Sequence, residues 1–256
     1  MTEKPFKGRH AVITGGATGI GAAIADRLAA MGAHLTLMAR NQARLDEKAA
    51  TLPAAQGVAV DVTDSASVKA AFARAREKFG SVQILINNAG AAEGKPFHKL
   101  SDEDWHRTLA VNLNGVYFCT REALADMRAA GVGRIVNVAS TAGLTGYAYV
   151  VPYVAAKHGV VGLTRALALE LAKTKITVNA VCPGYTETDI MKNAVDNIVA
   201  KTGRTPEQAR ADLTASNPQG RFVQPEEVAS AVAWLCLDES ASMTAQAIPV
   251  AGGEVM

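Results

Sequence analysis

The sequence is short of the groups that mark several protein classes. It holds three cysteines in 256 residues, Cys119, Cys182 and Cys236, each isolated in an apolar segment. That spacing makes neither a disulfide framework nor a metal site. It predicts buried free thiols in a reducing compartment, hence a cytoplasmic protein with no metal. Basic residues exceed acidic ones by only two (26 against 24), so nucleic acid is not an expected partner. No apolar run approaches the roughly 18 residues of a membrane span. The first ten residues lack the apolar stretch of a secretory signal. Repeats, low-complexity tracts and linkers are also missing, so residues 1–256 are expected to form one domain.

What is present is a regular alternation. Residues 9–14 read as a short buried strand. The turn Gly15-Gly16-Ala17-Thr18-Gly19-Ile20-Gly21 follows, then a helix over 22–31 closed by Gly32. A glycine-rich turn between a strand and a helix start suits phosphate, because the backbone can approach closely and free N–H groups face the anion. The spacing Gly-x3-Gly-x-Gly differs from the commonest dinucleotide fingerprint, so strand order must support it. Strands are expected at 33–39, 57–60, 82–86, 133–139, 176–181 and 247–250, with helices between them. One long helix is read over 102–129, capped by Ser101 and Asp104; another ends near Lys173, and a third covers 225–237. Strands alternating with helices imply an α/β fold: a Rossmann-type, doubly wound parallel sheet of about seven strands.

Ligands in such sheets bind at the carboxyl ends of strands. Gly15, Arg40, Asp61, Asn87 and Ser140 all fall at such ends. Arg40 stands where an acid would otherwise hold a ribose 2′-hydroxyl, so its guanidinium favours NADP(H), with NAD(H) as the alternative. The other reading of Arg40 is a solvated residue opening the next helix. Residues 185–219 are polar and contain two short helical stretches, which suits a substrate lid at a strand end. Lys192, Lys201, Arg204 and Arg210 in that lid would suit an acidic acyl carrier, or simply form a solvated surface.

Tyr153 and Lys157 lie one turn apart on a helix face. An ammonium beside a phenol lowers its pKa from the reference of about 10, which suits general acid–base work. Five tyrosines and twelve lysines would give such a pair by chance about one time in four. Its placement after the strand-end Ser140 therefore has to carry the argument. Tyr147 and Tyr149 lack a lysine four residues on and read as pocket residues. His158 points about 100° away from Lys157 and reads as structural.

Taken in order, Thr14-Gly15-x3-Gly19-Ile20-Gly21, Asp61-Val62, Asn87-Asn88-Ala89-Gly90, Asn112, Ser140, Tyr153-x3-Lys157 and Pro183-Gly184 resemble the short-chain dehydrogenase/reductase family over essentially the whole chain. The stretches around Ser140, Lys157 and Pro183 look most like ketoreductases of fatty-acid, acyl-CoA and polyketide type. The resemblance implies hydride transfer between a nicotinamide cofactor and a ketone or secondary alcohol. Tyr153 would be the proton donor, and Ser140 a second donor to the same oxygen. Lys157 would bind the nicotinamide ribose, and Asn112 would hold a water linking Lys157 to solvent. Gly15, Thr18, Gly19, Ile20, Gly21, Arg40, Asp61, Val62, Asn88, Ala89, Gly90, Tyr153, Lys157, Pro183, Gly184, Thr186 and Thr188 would contact the cofactor. Ala142, Leu144, Tyr147, Tyr149, Val150 and Tyr185 would line the substrate pocket. The substrate is expected to be a small ketone or alcohol, thioester-linked in the acyl case, and the assembly a homotetramer. Competing readings are an aryl or cyclic alcohol dehydrogenase, a sugar-nucleotide epimerase, for which the chain is short, and a non-catalytic cofactor sensor.

Overall fold

The computed structural model describes residues 4–255, apart from the side chains at positions 190, 193, 197 and 201. The chain opens with β1 (His10–Thr14), α1 (Gly19–Ala30), β2 (His34–Ala39), α2 (Gln42–Ala50), β3 (Ala55–Ala59), α3 (Ser65–Phe79) and β4 (Ile84–Asn87). It continues with α4 (Asp102–Leu109), α5 (Gly115–Ala130), β5 (Val132–Val138), α6 (Val151–Glu170) and β6 (Lys175–Pro183). It closes with α7 (Asp189–Thr202), α8 (Pro206–Thr214), α9 (Pro225–Cys236) and β7 (Ala247–Val250). Among the described residues the strands form one sheet in the order β3-β2-β1-β4-β5-β6-β7, and every pairing is parallel. This is the doubly wound architecture that the alternation predicts.

Alternate strand residues feed two cores. Ala11 and Ile13 of β1, with Leu35 and Leu37 of β2, pack with Ile24 and Leu28 of α1 and Val228 and Val232 of α9. Val12 and Met38 face the other way, onto Phe72 of α3, Ala123 of α5 and Leu171. A parallel strand covered on both faces must be apolar on both, which is why His-Ala-Val-Ile-Thr is buried throughout. Residues of α7, α8 and the stretch after them form a separate small cluster of Val195, Ala209 and Phe222 with Met191, Ile198 and Leu213 around it.

Most boundaries shift by one or two residues from the sequence reading, and three differences have a physical reason. The first helix begins at Gly19 rather than residue 22, so the glycine turn supplies its first turn. β3 spans Ala55–Ala59 instead of 57–60 and is mostly half-buried, as suits an edge strand, so its apolar pattern was a weak guide. The long helix expected over 102–129 is broken by a π-helical turn at Ala110–Asn114. That turn carries Asn112. An inserted residue re-aims the side chains of a helix without ending it, and helical periodicity alone does not register it. The expected cap is present, Ser101 and Asp104 forming a capping box; α3 is capped too, the Asp64 carboxylate accepting from the Ala66 N–H.

Candidate active site

The strand order turns back between β1 and β4, and the cleft opens at their carboxyl ends. Its floor is made of backbone. Gly15 has φ 65° and donates its N–H to the Met38 carbonyl at 2.6 Å. Gly21 is on the first turn of α1, against the Gly15 carbonyl; a Cβ there would collide with that oxygen and stand 2.6 Å from Asn88 Nδ2. Asn88 Nδ2 donates to the carbonyls of Thr14 (3.0 Å) and Gly15 (3.1 Å). The Thr14 hydroxyl accepts from the N–H groups of Asn88 and Ala89. These bonds weld the end of β4 to the glycine turn. Thr18 caps α1 without a side-chain bond to it, which leaves the helix's first N–H groups to face the cleft.

Two recesses meet at this floor. One is lined by Gly15, Ala17, Thr18, Ala39, Arg40, Asn41, Gln42 and Arg44. The other, a cavity of about 600 Å³, takes in Gly15, Thr18, Gly19, Ile20, Asn88, Ala89, Gly90, Ser140, Ala142, Tyr147, Val150, Tyr153, Lys157, Pro183, Gly184, Tyr185, Thr186 and Thr188. They share Gly15 and Thr18. Of the expected cofactor residues, Gly21, Asp61 and Val62 do not line either recess. Gly21 supports the floor from behind. Val62 packs against Gly115, where a Cβ would stand 2.9 Å from it. The Asp61 carboxylate accepts from the N–H and hydroxyl of Thr63; those bonds hold its pKa below the usual carboxylate value, with Arg40 adding a smaller pull in the same direction.

At the far end, Ser140 Oγ accepts from the Ala142 N–H at 3.1 Å. Lys157 is buried and donates to the Val138 carbonyl at 2.9 Å. Its Nζ stands 5.5 Å from the centre of the Tyr153 ring. Burial pulls the Lys157 ammonium down to about 8. Burial also pushes the Tyr153 phenol above its ordinary value, against an opposing hydrogen bond with Ser140. The expected lowering of Tyr153 is thus outweighed in the protein alone, because desolvation penalises the phenolate. Asn112 is fully buried. It accepts from the Ala91 N–H (3.2 Å) and donates to the carbonyls of Ala91 (2.8 Å) and Thr108 (3.0 Å). It therefore clamps the loop after Gly90, where a Cβ would stand 2.9 Å from its Oδ1.

Two expected pocket residues are elsewhere. Leu144 packs beside the cluster of Val116, Val160 and Val161. Tyr149 has φ 68° and is 65% exposed, and its carbonyl accepts from the Lys95 N–H. In a tight turn the facing of a side chain follows the local backbone, which the sequence does not display. His158 bonds the Val154 carbonyl one turn back, away from the cleft. Half of the lid's expected basic patch is paired: Arg204 with Asp212 and Arg210 with Glu187; Lys192 is exposed, and the Lys201 side chain lies outside the described residues. Several lining residues were missed, three of them with side chains that matter to the site. Arg44 lines the recess beside Arg40, and Thr141 and Met191 line the cavity. Arg44 had a signal: it stands four residues after Arg40, in the first turn of α2. The thiols of Cys119, Cys182 and Cys236 are free and buried, and burial pushes that of Cys182, the nearest to the site, up to about 11.

A Ser-Tyr-Lys group beside a glycine-cradled helix start at a sheet switch point defines an oxidoreductase site of the short-chain type. Residues 9–199 match the family described as short chain dehydrogenase, and the chain belongs to that family. It is 43% identical to a ketoacyl reductase of the granaticin polyketide synthase of Streptomyces violaceoruber, over 95% of this chain and 92% of that one. It is 41% identical to the cis-4-hydroxycyclohexanecarboxylate dehydrogenase of Sinomonas cyclohexanicum, over 97% of each. Among solved structures, an actinorhodin polyketide ketoreductase with NADPH superposes with a TM-score of 0.92 at 41% identity, covering 96% of this chain and 97% of that one.

Proposed function

We propose that the protein is a single-domain, NADP(H)-preferring carbonyl reductase acting on a 3-oxoacyl thioester or a related bulky ketone, with residues 185–219 as its lid. One observation carries the reading: the two recesses sharing Gly15 and Thr18 run from Arg40 and Arg44, over the start of α1, to Ser140, Tyr153 and Lys157. That is the shape of a dinucleotide with its reactive end at the Tyr-Lys pair. The donor set fits as well. Two guanidiniums flank the end where a 2′-phosphate would sit, and unbonded helix N–H groups lie where a diphosphate would.

When bound, the nicotinamide supplies the hydride, and the protein supplies placement and a proton. Tyr153 holds that proton on its phenolic oxygen, and burial keeps it there at neutral pH, the state that reduction requires. Accepting from Ala142 uses a lone pair of Ser140 and not its proton, so the O–H that bonds Tyr153 in the protein alone can turn to a carbonyl oxygen. The carbonyl oxygen would therefore meet two donors held in place beside the buried Lys157, and preorganised donors of that kind stabilise developing charge. Lys157 has given one N–H to Val138 and keeps two for ribose hydroxyls. Thr186 and Thr188 line the cavity and would meet the carboxamide or diphosphate end of the cofactor, Thr188 standing over Gly19 at the start of α1, and Asn112 holds the Gly90–Ala91 backbone in place.

Steady-state kinetics with NADPH and NADH against acetoacetyl-CoA, aryl ketones and cyclic ketones test the reading. The expected result is the highest kcat/KM with NADPH and a thioester or bulky ketone; no oxidation of either cofactor across the set would overturn it. A second reading, dehydrogenation of an aryl or cyclic secondary alcohol, is favoured by the edge-on pair of Tyr147 and Tyr185, 6.4 Å between ring centres, which gives the cavity wall two adjoining apolar ring surfaces. We place the protein in the cytoplasm as a homotetramer, with Trp105, Tyr117 and Leu169 exposed on α4, α5 and α6 as its apolar seam. Among the described residues no helix is long and apolar enough to cross a membrane.

A further inference from the structure

The last described residues make contacts that the ketoreductase reading does not use. After β7 the chain turns sharply through Gly252 (φ 61°) and Gly253 (φ 93°). Both conformations are left-handed and favour glycine. Both positions are also crowded: a Cβ on Gly252 would collide with Asn217 Oδ1, and one on Gly253 would stand 3.3 Å from Pro218. The tail is therefore pressed onto the end of the lid. Asn217 is held there by donating to the Arg221 carbonyl and accepting from the Gln219 N–H, both at 2.8 Å.

This packing delivers Glu254 to the back of the substrate wall. Its Oε1 accepts from the Tyr147 hydroxyl at 2.6 Å and from Ser216 Oγ at 2.8 Å. Its Oε2 lies behind Gly184, where a Cβ would stand 2.7 Å from it. Tyr147 OH is also 2.8 Å from Thr141 Oγ1. A hydroxyl has one proton, so the order is fixed: Thr141 donates to Tyr147, and Tyr147 donates to Glu254. Thr141, Tyr147, Gly184 and Tyr185 all line the cavity. Among the described residues no cation pairs with Glu254. Its charge is felt at the wall: together with burial, it pushes the phenols of both Tyr147 and Tyr185 up.

We propose that Glu254 is a specificity-determining positioning residue: its carboxylate latches Tyr147 to the end of the lid and holds a fixed negative charge behind the pocket wall, so that neutral carbonyl compounds are accepted over those carrying a free carboxylate. The inference rests on the reading of this cleft as a ketone site. A hydrogen bond to a charged acceptor is stronger than a neutral one, which fixes the Tyr147 ring edge-on to Tyr185. An uncompensated charge near a partly desolvated pocket repels an incoming anion.

The test compares ethyl acetoacetate with acetoacetate in the native protein and in Glu254→Gln, Glu254→Leu and Tyr147→Phe. Glutamine keeps an acceptor for Tyr147 and Ser216 and removes the charge. It is expected to cut the ester-over-acid ratio of kcat/KM about tenfold, the order for one unit charge roughly 10 Å away at an effective dielectric near 20. The change should come through KM for the acid, with dinucleotide binding and the melting midpoint unmoved. Leucine and Tyr147→Phe are expected to raise KM for the ester as well, about fivefold, the scale of one lost hydrogen bond; glutamine should leave that KM near the native one. An ester-over-acid ratio that is the same in the native protein, glutamine and leucine variants would overturn the proposal. If the native protein reduces neither compound nor any other ketone, the functional reading falls and this inference with it. Activity on ketones with an unmoved ratio would sink the inference alone.

Discussion

The floor and the roof of the cleft are built on different principles. The floor is backbone against backbone: Gly15 under Met38, Gly21 against the Gly15 carbonyl, and Asn88 bonded to two main-chain oxygens. It has no spare volume and few rotatable bonds. The roof is side chain against side chain. The lid helices have their own small cluster around Val195, Ala209 and Phe222. They connect to the body through the bridge from Thr186 to Val223 and through the Glu254 contacts, while the half-exposed pair of Arg210 and Glu187 ties α8 to the start of the lid itself. A floor of that kind suits a part common to many substrates, the dinucleotide. A roof of that kind can be changed one side chain at a time, which suits the part that selects a substrate.

The comparison can be broken at several points. Apart from the loss of Tyr153 itself, the largest effect is expected at the junction of floor and roof: Ser140→Ala removes one donor to the carbonyl oxygen and should lower kcat by about 10²–10³-fold. A decrease under tenfold would put Ser140 outside the oxyanion site. Next is Gly21→Ala. Its Cβ must displace the Gly15 carbonyl, so we expect a loss of about 3 kcal/mol in unfolding free energy together with weakened dinucleotide binding. Chemical denaturation and cofactor titration read both, and a native-like variant would show that the floor has slack.

Smaller again is a pH effect. Lys157 is a buried ammonium lowered to about 8, so it is charged below that pH and neutral above it. The kcat/KM for reduction reports the free enzyme and should be level near neutrality and fall above pH 8. A profile level to about pH 10, near the unperturbed lysine value, would mean that Lys157 is not desolvated as the structure has it. Arg40→Asp should move the NADPH-over-NADH ratio of kcat/KM downward by about tenfold, the scale of one charged hydrogen bond; Arg44→Ala should move it less. The smallest effect is expected in the roof. Arg210→Ala removes an exposed ion pair worth about 0–1 kcal/mol, so the melting midpoint should hardly move. A large loss of stability there would show that the lid is part of the main core.

The same division explains what could be read from the sequence. The strands, the glycine turn and the Ser140, Tyr153 and Lys157 set were legible because they are local: runs of apolar residues, a turn chemistry and an i, i+4 spacing. The π-helical turn at Asn112 was hidden, since the helical pattern continues on both sides of it. The placing of Leu144 in the core and Tyr149 in solvent depends on turn geometry that no periodicity encodes. The direction of the Tyr153 shift was misjudged because spacing reports neighbours, whereas burial, which raises it, is a tertiary property. Glu254 was invisible for the same reason: it meets Tyr147 across 107 positions of chain.

The central claim is that Tyr153 donates the proton while the rest of the cleft holds the dinucleotide. It is tested most directly in Tyr153→Phe, by measuring NADPH binding by fluorescence and NADPH oxidation with a saturating ketone on the same preparation. The account predicts binding within about twofold of native and turnover lower by about 10²–10⁴-fold, the range for a lost general acid. Turnover close to native with binding intact would contradict it.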